Sequence, residues 1–156
     1  MNYPEQISKL YRDMVHGGSI AGVSFHELLD DITWQEATTK VGNCNTIATL
    51  VFHVQYYVRL VSRVLAGGPI EGNDALSFVH PPIASEADWN NLLDNTWKET
   101  AVFTELVANL SEKQLQEPFE AYGTYYRNIH GIIEHTHYHL GQISLLKKLI
   151  REGYNT

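Results

Sequence analysis

The sequence contains only one cysteine, Cys44, so the chain cannot form an internal disulfide bond. Proteins of a reducing compartment commonly keep their few cysteines unpaired. The chain starts without a positively charged segment followed by an apolar run, so we expect no signal peptide. No uninterrupted apolar stretch approaches the ~18 residues that a membrane span requires. These absences predict a cytoplasmic protein that does not enter a membrane.

Clusters of basic residues are also missing. The formal net charge is -7, and the densest basic stretch consists of Lys147, Lys148 and Arg151, whose charges suit the end of a helix. Proteins that bind nucleic acid carry a basic surface, so we expect no nucleic-acid partner. The sequence has neither a glycine-rich phosphate loop nor a serine-centred nucleophile motif. Chemistry based on those two motifs is therefore not indicated.

The dominant pattern in the sequence is helical periodicity. The chain has 156 residues, of which 44% are hydrophobic and 19% are charged, and this balance predicts one globular domain over 1–156. Connections that contain Gly and Pro separate the periodic stretches, so we predict an all-α four-helix bundle. Apolar residues recur at three- and four-residue spacing in the four stretches that we predict to be its long helices, at 7–15, 46–66, 86–110 and 124–151.

Shorter elements are expected between these helices. Ser24 and Glu27 have the spacing of a capping box and predict a short helix over 24–31. A single helical turn is expected near Trp34. We predict that residues 69–82 form a loop at the mouth of a site and that residues 111–123 form a polar connection.

The last predicted helix carries four histidines within ten residues. His135 and His139 are four residues apart, so they lie ~40° apart around the helix axis, one turn above the other. Isoleucine and leucine residues share their side of the helix, whereas His130 and His137 fall on the polar side. We therefore expect His135 and His139 to point into the bundle.

Two histidines at this spacing can direct their ring nitrogens at one metal ion. His53 is a third histidine on an apolar helix face, in the second long helix. Three neutral imidazoles around one ion leave an open coordination position, and Zn²⁺ or Ni²⁺ suits such ligands best, with Fe or Mn as alternatives. The spacing alone equally fits three core histidines that are hydrogen-bonded to Tyr, Thr or the backbone.

Other candidates have weaker patterns. Gln142 lies three residues after His139 and is a candidate to orient a metal-binding histidine through a hydrogen bond. Cys44 precedes a helix start, where a thiolate is favoured, but an isolated cysteine is a poor indicator of a nucleophile. We expect Glu134 on a solvated face. The hydroxyls of Tyr57 and Tyr138 could reach the site, but ordinary packing is the expected role of both residues.

Two segments resemble the DinB superfamily. They are EHTHYHLGQI at 134–143 and the apolar-flanked histidine of TIATLVFHVQYY at 46–57. GGSIAGVSFHELLDDITWQEA at 17–37 and SEADWNNLL at 85–93 are similar to segments of one branch of that family. The resemblance covers most of the chain and implies a four-helix bundle of the DinB/YfiT-like type. It departs at Leu140, where many relatives have Arg or Lys.

The resemblance also implies a function. DinB-like proteins include metal-dependent enzymes and bacillithiol and mycothiol transferases, so it implies that His53, His135 and His139 hold a divalent metal ion. We expect a hydrolase or a thiol S-transferase that activates water or a thiol, with a small-molecule substrate or a thiol cofactor as partner. No carboxylate stands out as the general base of a hydrolase, which favours thiol transfer.

Two alternatives remain open. The first is a non-catalytic stress-response or binding bundle whose metal site is structural or vestigial. The second is a plain bundle without such a site. We also expect a homodimer, which is compatible with every alternative. Its predicted contact surface is aromatic and consists of Tyr3, Tyr11, Trp89 and Trp97.

Overall fold

A computed structural model describes residues 1–20 and 22–154, so positions 21, 155 and 156 of the predicted domain lie outside the described residues. The described chain is helical and contains no β-strand. A short 3-10 helix spans Asp74–Phe78. The α-helices are α1 (Tyr3–His16), α2 (Phe25–Leu29), α3 (Trp34–Thr38), α4 (Ile47–Leu65), α5 (Glu86–Ala108), α6 (Glu112–Gln116) and α7 (Tyr125–Arg151).

The prediction of an all-helical fold is confirmed, and the four predicted long helices correspond to α1, α4, α5 and α7. Side-chain caps explain where all four begin. The capping residues Asn2, Thr46, Ser85 and Thr124 each accept a hydrogen bond from a backbone N–H of the first helical turn. The predicted capping box of Ser24 and Glu27 also forms, at the start of α2.

Both predicted connections contain helical structure that periodicity did not reveal. Residues 111–123 include α6, which starts with a capping box between Ser111 and Gln114. Residues 69–82 include the 3-10 helix, whose first turn is capped when Asn73 Oδ1 accepts a hydrogen bond from the N–H of Ala75 at 3.0 Å. Each element is only five residues long, which is too short to display a period.

Helix α5 runs antiparallel to α1. Ser8 near the start of α1 donates a hydrogen bond to the carbonyl of Thr104 late in α5, at 2.7 Å. At the end of α1, the ring of His16 lies 5.8 Å from the ring of Trp97, two turns earlier in α5. Residues later in α1 therefore contact residues earlier in α5.

Helices α4 and α5 run parallel, because the connection between them returns along α4. The ring of Phe78 stacks on His53 at 4.1 Å, and His80 Nε2 then lies 3.2 Å from Thr49 Oγ1, one turn closer to the start of α4. Helix α5 consequently begins at the end of the molecule where α4 begins. The returning connection passes directly over His53.

The buried apolar side chains form one core, and two aromatic residues in it correct a prediction. Tyr11 and Trp89 were expected on a dimer surface, but each is only 1% exposed. Trp89 can be buried without leaving its indole N–H unpaired, because this group donates a hydrogen bond to the carbonyl of Ile32 at 2.8 Å. The hydroxyl of Tyr11 lies 3.5 Å from Thr136 Oγ1. Among the described helices, none has the length and apolar character needed to cross a membrane.

Candidate metal centre

Antiparallel packing of α4 and α7 brings His53, His135 and His139 together. The ring of His53 lies 4.8 Å from the ring of His135 and 4.8 Å from that of His139, and the last two rings are 4.5 Å apart. His53 and His139 are buried, with 5% and 6% of their surface exposed, and His135 is half-buried. The three residues that the sequence placed in one candidate site therefore form one cluster.

The ring nitrogens of this cluster are close enough for one ion. His135 Nε2 lies 3.0 Å from His53 Nε2 and 3.0 Å from His139 Nε2. One candidate ligand atom from each ring lies within 4.8 Å of the other two. A tetrahedral ion with bonds of about 2.0–2.1 Å holds its ligand nitrogens about 3.3 Å apart, so small shifts would accommodate it.

Gln142 determines which nitrogen of His139 faces the cluster. His139 Nδ1 lies 2.7 Å from Gln142 Oε1, and an amide oxygen only accepts hydrogen bonds. Nδ1 therefore carries the proton, and the lone pair is on Nε2. The amide of Gln142 is itself oriented, because its NH₂ group donates to the hydroxyl of Tyr138 at 3.0 Å.

Ser77 has the same effect on His53. The Ser77 hydroxyl donates its hydrogen to the carbonyl of Asp74 at 2.6 Å, so its oxygen accepts from His53 Nδ1, which is 2.7 Å away. The lone pair of His53 is consequently on Nε2 as well. Ser77 and the stacked ring of Phe78 both belong to the 3-10 helix, which fixes the orientation of His53 from outside α4.

This arrangement fits a cation. Two Nε2 lone pairs, from His53 and His139, face His135 Nε2, which can offer one hydrogen at most. Without a cation, at least one acceptor lone pair in this largely buried cluster has no hydrogen to accept, and such groups are costly to bury. A divalent ion accepts all three lone pairs together.

The electrostatic environment keeps the rings in the form that binds metal. Burial, followed by the charges of the neighbouring His139 and His53, lowers the pKa of His135 to about 4. Burial also lowers the pKa of His53 and that of His139. All three imidazoles are therefore neutral at pH 7, with lone pairs that can coordinate an ion.

A cavity of about 630 Å³ adjoins the cluster, and His53 and His135 line it. The 3-10 helix contributes Asp74, whose Oδ1 accepts a hydrogen bond from the hydroxyl of Tyr57 at 2.6 Å. The ring of Tyr57 lies edge-on to His53 at 5.1 Å and to His135 at 5.0 Å. Burial, followed by the hydrogen bond and charge of Asp74, raises the pKa of Tyr57 to about 12.

Asp74 and Ser77 are site residues that sequence reasoning missed. They lie in a connection, and no spacing relates them to a histidine of α4. The available signal was Asn73 before Asp74, which is typical of a helix cap. Packing was the expected role of Tyr57, with its hydroxyl able to reach the site, and Tyr57 does line the cavity and bind Asp74. Gln142 contacts His139 directly, as the proposed orienting role requires.

The remaining candidates lie outside the cluster. Cys44 is exposed. Glu134 is exposed, as predicted, and its carboxylate pairs with Arg127 at 3.1 Å and contacts His130 Nδ1 at 3.2 Å. Tyr138 is exposed and packs edge-on to the ring of His139 at 4.9 Å.

Searches against models of protein families, curated proteins and solved structures found no match for the chain.

Proposed function

We propose that this protein is a metal-dependent enzyme with a four-helix bundle of the DinB/YfiT-like type. His53, His135 and His139 would hold one divalent ion, with Zn²⁺ or Ni²⁺ best suited to three imidazoles. The reaction would be hydrolysis or thiol S-transfer on a small molecule. The observation that carries the proposal is the convergence of three Nε2 atoms beside a cavity that two of the same rings line.

The cavity favours a catalytic site over a structural one. Structural zinc sites usually have four protein ligands and no access for substrate. Here the described residues supply three candidate ligands, and an open space adjoins them. When bound, a divalent ion supplies Lewis-acid chemistry that lowers the pKa of a water or thiol placed beside it.

The protein's own residues have separate tasks in this proposal. Ser77 and Gln142 hold the protons of His53 and His139 on Nδ1, so that both Nε2 lone pairs stay directed at the centre. Asp74 supplies a carboxylate at the cavity wall, and Tyr57 orients it through the hydrogen bond to Oδ1. The second carboxylate oxygen would accept the proton that a reacting water or thiol releases.

Asp74 alters the balance between the two reactions. The sequence favoured thiol transfer because no general base was apparent for hydrolysis. A carboxylate that lines the same cavity as His53 and His135 removes that objection. Hydrolysis is therefore the better supported reaction, and thiol transfer is the second candidate.

Metal analysis of protein purified without a histidine tag tests the site. We expect about one equivalent of Zn²⁺ or Ni²⁺ per chain after supplementation, and loss of that metal in His139→Ala. His137→Ala is the matched control, because it removes a histidine of the same helix that lies outside the cluster. Wild-type protein with less than about a tenth of an equivalent would contradict the proposal.

Assays of the loaded protein with ester, amide and electrophile panels then separate the reactions. Hydrolysis proceeds without added thiol, whereas S-transfer requires a bacillithiol-type thiol. If bound metal only raises the melting temperature and no assay responds, the non-catalytic alternative is correct.

A further inference from the structure

We infer that the cavity beside the histidines binds organic carboxylates, with an apolar body along α4 and the carboxylate group at Arg127. The identification of such a molecule as a substrate rests on the proposed function. Its binding does not, because the acid would be recognised by Arg127 and the apolar wall and not by a metal ion held by the histidines.

The histidines mark one end of the cavity and Arg127 marks the other. His53 is almost completely buried, whereas the side chain of Arg127 is 62% exposed. The guanidinium of Arg127 extends along α7 to Gly131, four residues before His135, which corresponds to ~6 Å along a helix that rises ~1.5 Å per residue. A short aryl or alkyl acid therefore places its carboxylate at this guanidinium while its body contacts the wall of the cavity.

The wall between the two ends is mainly apolar and aromatic. Leu60 and Val61 line it from α4, Ile132 lines it from α7, and Ile70 and Phe119 come from connections. Apolar surface that a ligand covers stabilises the complex in proportion to the area removed from water. This wall therefore favours an alkyl or aryl body over a sugar or a peptide backbone.

Arg127 provides the charge that recognises an anion. Its Nη1 lies 3.1 Å from Glu134 Oε2, and both side chains are largely exposed, so the pair is weak and easily exchanged. The guanidinium passes over Gly131, where a Cβ atom would lie 3.2 Å from Nη1. A guanidinium has five N–H donors, and one interaction with Glu134 leaves donors for a carboxylate that enters the cavity.

Asp74 sets the direction of binding. Its carboxylate lines the cavity and is held by Tyr57, whose ring contacts His53 and His135. Asp74 is exposed, and a second carboxylate beside it at the histidine end of the cavity would meet a like charge, which is unfavourable. The anionic group therefore points outward to Arg127, and the uncharged end of the ligand faces the histidines.

The experiment uses three probes with the same body, namely phenylbutyrate, phenylbutanol and phenylbutylamine, titrated by calorimetry into metal-free protein. We expect phenylbutyrate to bind about tenfold more tightly than phenylbutanol, and phenylbutylamine to bind most weakly. Arg127→Gln should remove the preference for the acid. Glu134→Gln should tighten phenylbutyrate several-fold, because the competing carboxylate is gone. Arg59→Gln is the control, since Arg59 does not line this cavity.

Equal binding of acid and alcohol by the wild type would overturn the inference, as would an unchanged preference in Arg127→Gln. Tightest binding of the amine would assign recognition to Asp74 and would also overturn it. Weaker binding of phenylbutyrate by Glu134→Gln than by the wild type would also overturn the inference, because this variant keeps Arg127 and removes only its competing partner. The titrations contain no metal, so they test this inference separately from the proposed function. If the protein takes up no metal but still prefers the acid, the proposed enzyme is refuted and this inference stands.

Discussion

Ser77 Oγ lies 2.7 Å from His53 Nδ1, although Ser77 belongs to the returning connection and His53 to the middle of α4. Because Ser77 donates its own hydrogen to Asp74, it can only accept from the ring. One hydroxyl in a connection thus determines that His53 presents Nε2 to the other histidines.

Ser77→Ala should therefore weaken metal binding. Without an acceptor at Nδ1, His53 can place its proton on Nε2, and loss of such a partner typically costs about 10- to 100-fold in metal affinity. Competition with a chelator of known affinity measures the change. Ser62→Ala is the matched control, because Ser62 is a buried serine of α4 whose Oγ has no hydrogen-bond partner among the described residues. Equal affinities in the two variants would contradict the role of Ser77.

Gln142 should behave in the same way for His139. Gln142→Leu removes the acceptor 2.7 Å from His139 Nδ1 and should lower the metal affinity about 10- to 100-fold. Gln142→Glu keeps an acceptor at this position and should restore most of the affinity. Tyr138→Phe removes only the partner of the Gln142 amide and should have the smallest effect. The same chelator competition ranks the three variants, and a Glu variant as weak as the Leu variant would refute this role.

Asp74→Asn should slow the reaction without releasing the metal, since Asp74 is not one of the three clustered ligands. The variant should also change Tyr57. Asp74 helps to raise the pKa of Tyr57 to about 12, but burial is the larger cause, so the pKa should fall in the variant and stay above its ordinary value of 10.0. Tyrosinate absorbance during a pH titration, with Tyr57→Phe subtracted, measures this pKa. A pKa unchanged in Asp74→Asn would argue that the carboxylate does not interact with Tyr57 in solution.

Asp31 should make stability depend on acid pH. Hydrogen bonds from Lys147 and Arg151 lower its pKa from 3.8 to about 2 in the folded protein. The unfolded chain takes up this proton at a higher pH than the folded chain, so the stabilisation is complete above about pH 4 and is lost as the pH falls toward 2. Urea midpoints of wild type and Asp31→Asn should therefore converge as the pH falls. Asp30→Asn, at the exposed neighbouring position, is the matched control, and midpoints of wild type and Asp31→Asn that stay equally far apart from about pH 5 to pH 2 would contradict this role of Asp31.

The sequence was informative about the long helices and about the histidines. Periodicity located α1, α4, α5 and α7, and the helical angle between His135 and His139 predicted that both would approach the interior. The same angle did not predict that His139 is buried while His135 is only half-buried. That difference depends on where the cavity opens beside α7, which is a property of the packed structure.

The missed features depend on contacts between residues that are distant in the chain. Ser77, Phe78 and Asp74 reach His53 and Tyr57 only because the connection returns along α4. The burial of Trp89 likewise depends on the carbonyl of Ile32, which is 57 positions away. A local pattern identifies an amphipathic face, but it cannot identify the segment that covers the face.

The parallel course of α4 and α5 has a consequence for how this protein can change. Two neighbouring parallel helices need a connection about as long as the helices themselves. Here the connection between α4 and α5 forms one wall of the cavity next to the histidines. Surface links tolerate insertions and exchanges far better than packed helices do. Substitutions in 66–85 that spare Asp74, Ser77 and Phe78 could therefore change which molecules the cavity accepts, while the helices that present the imidazoles keep their sequence.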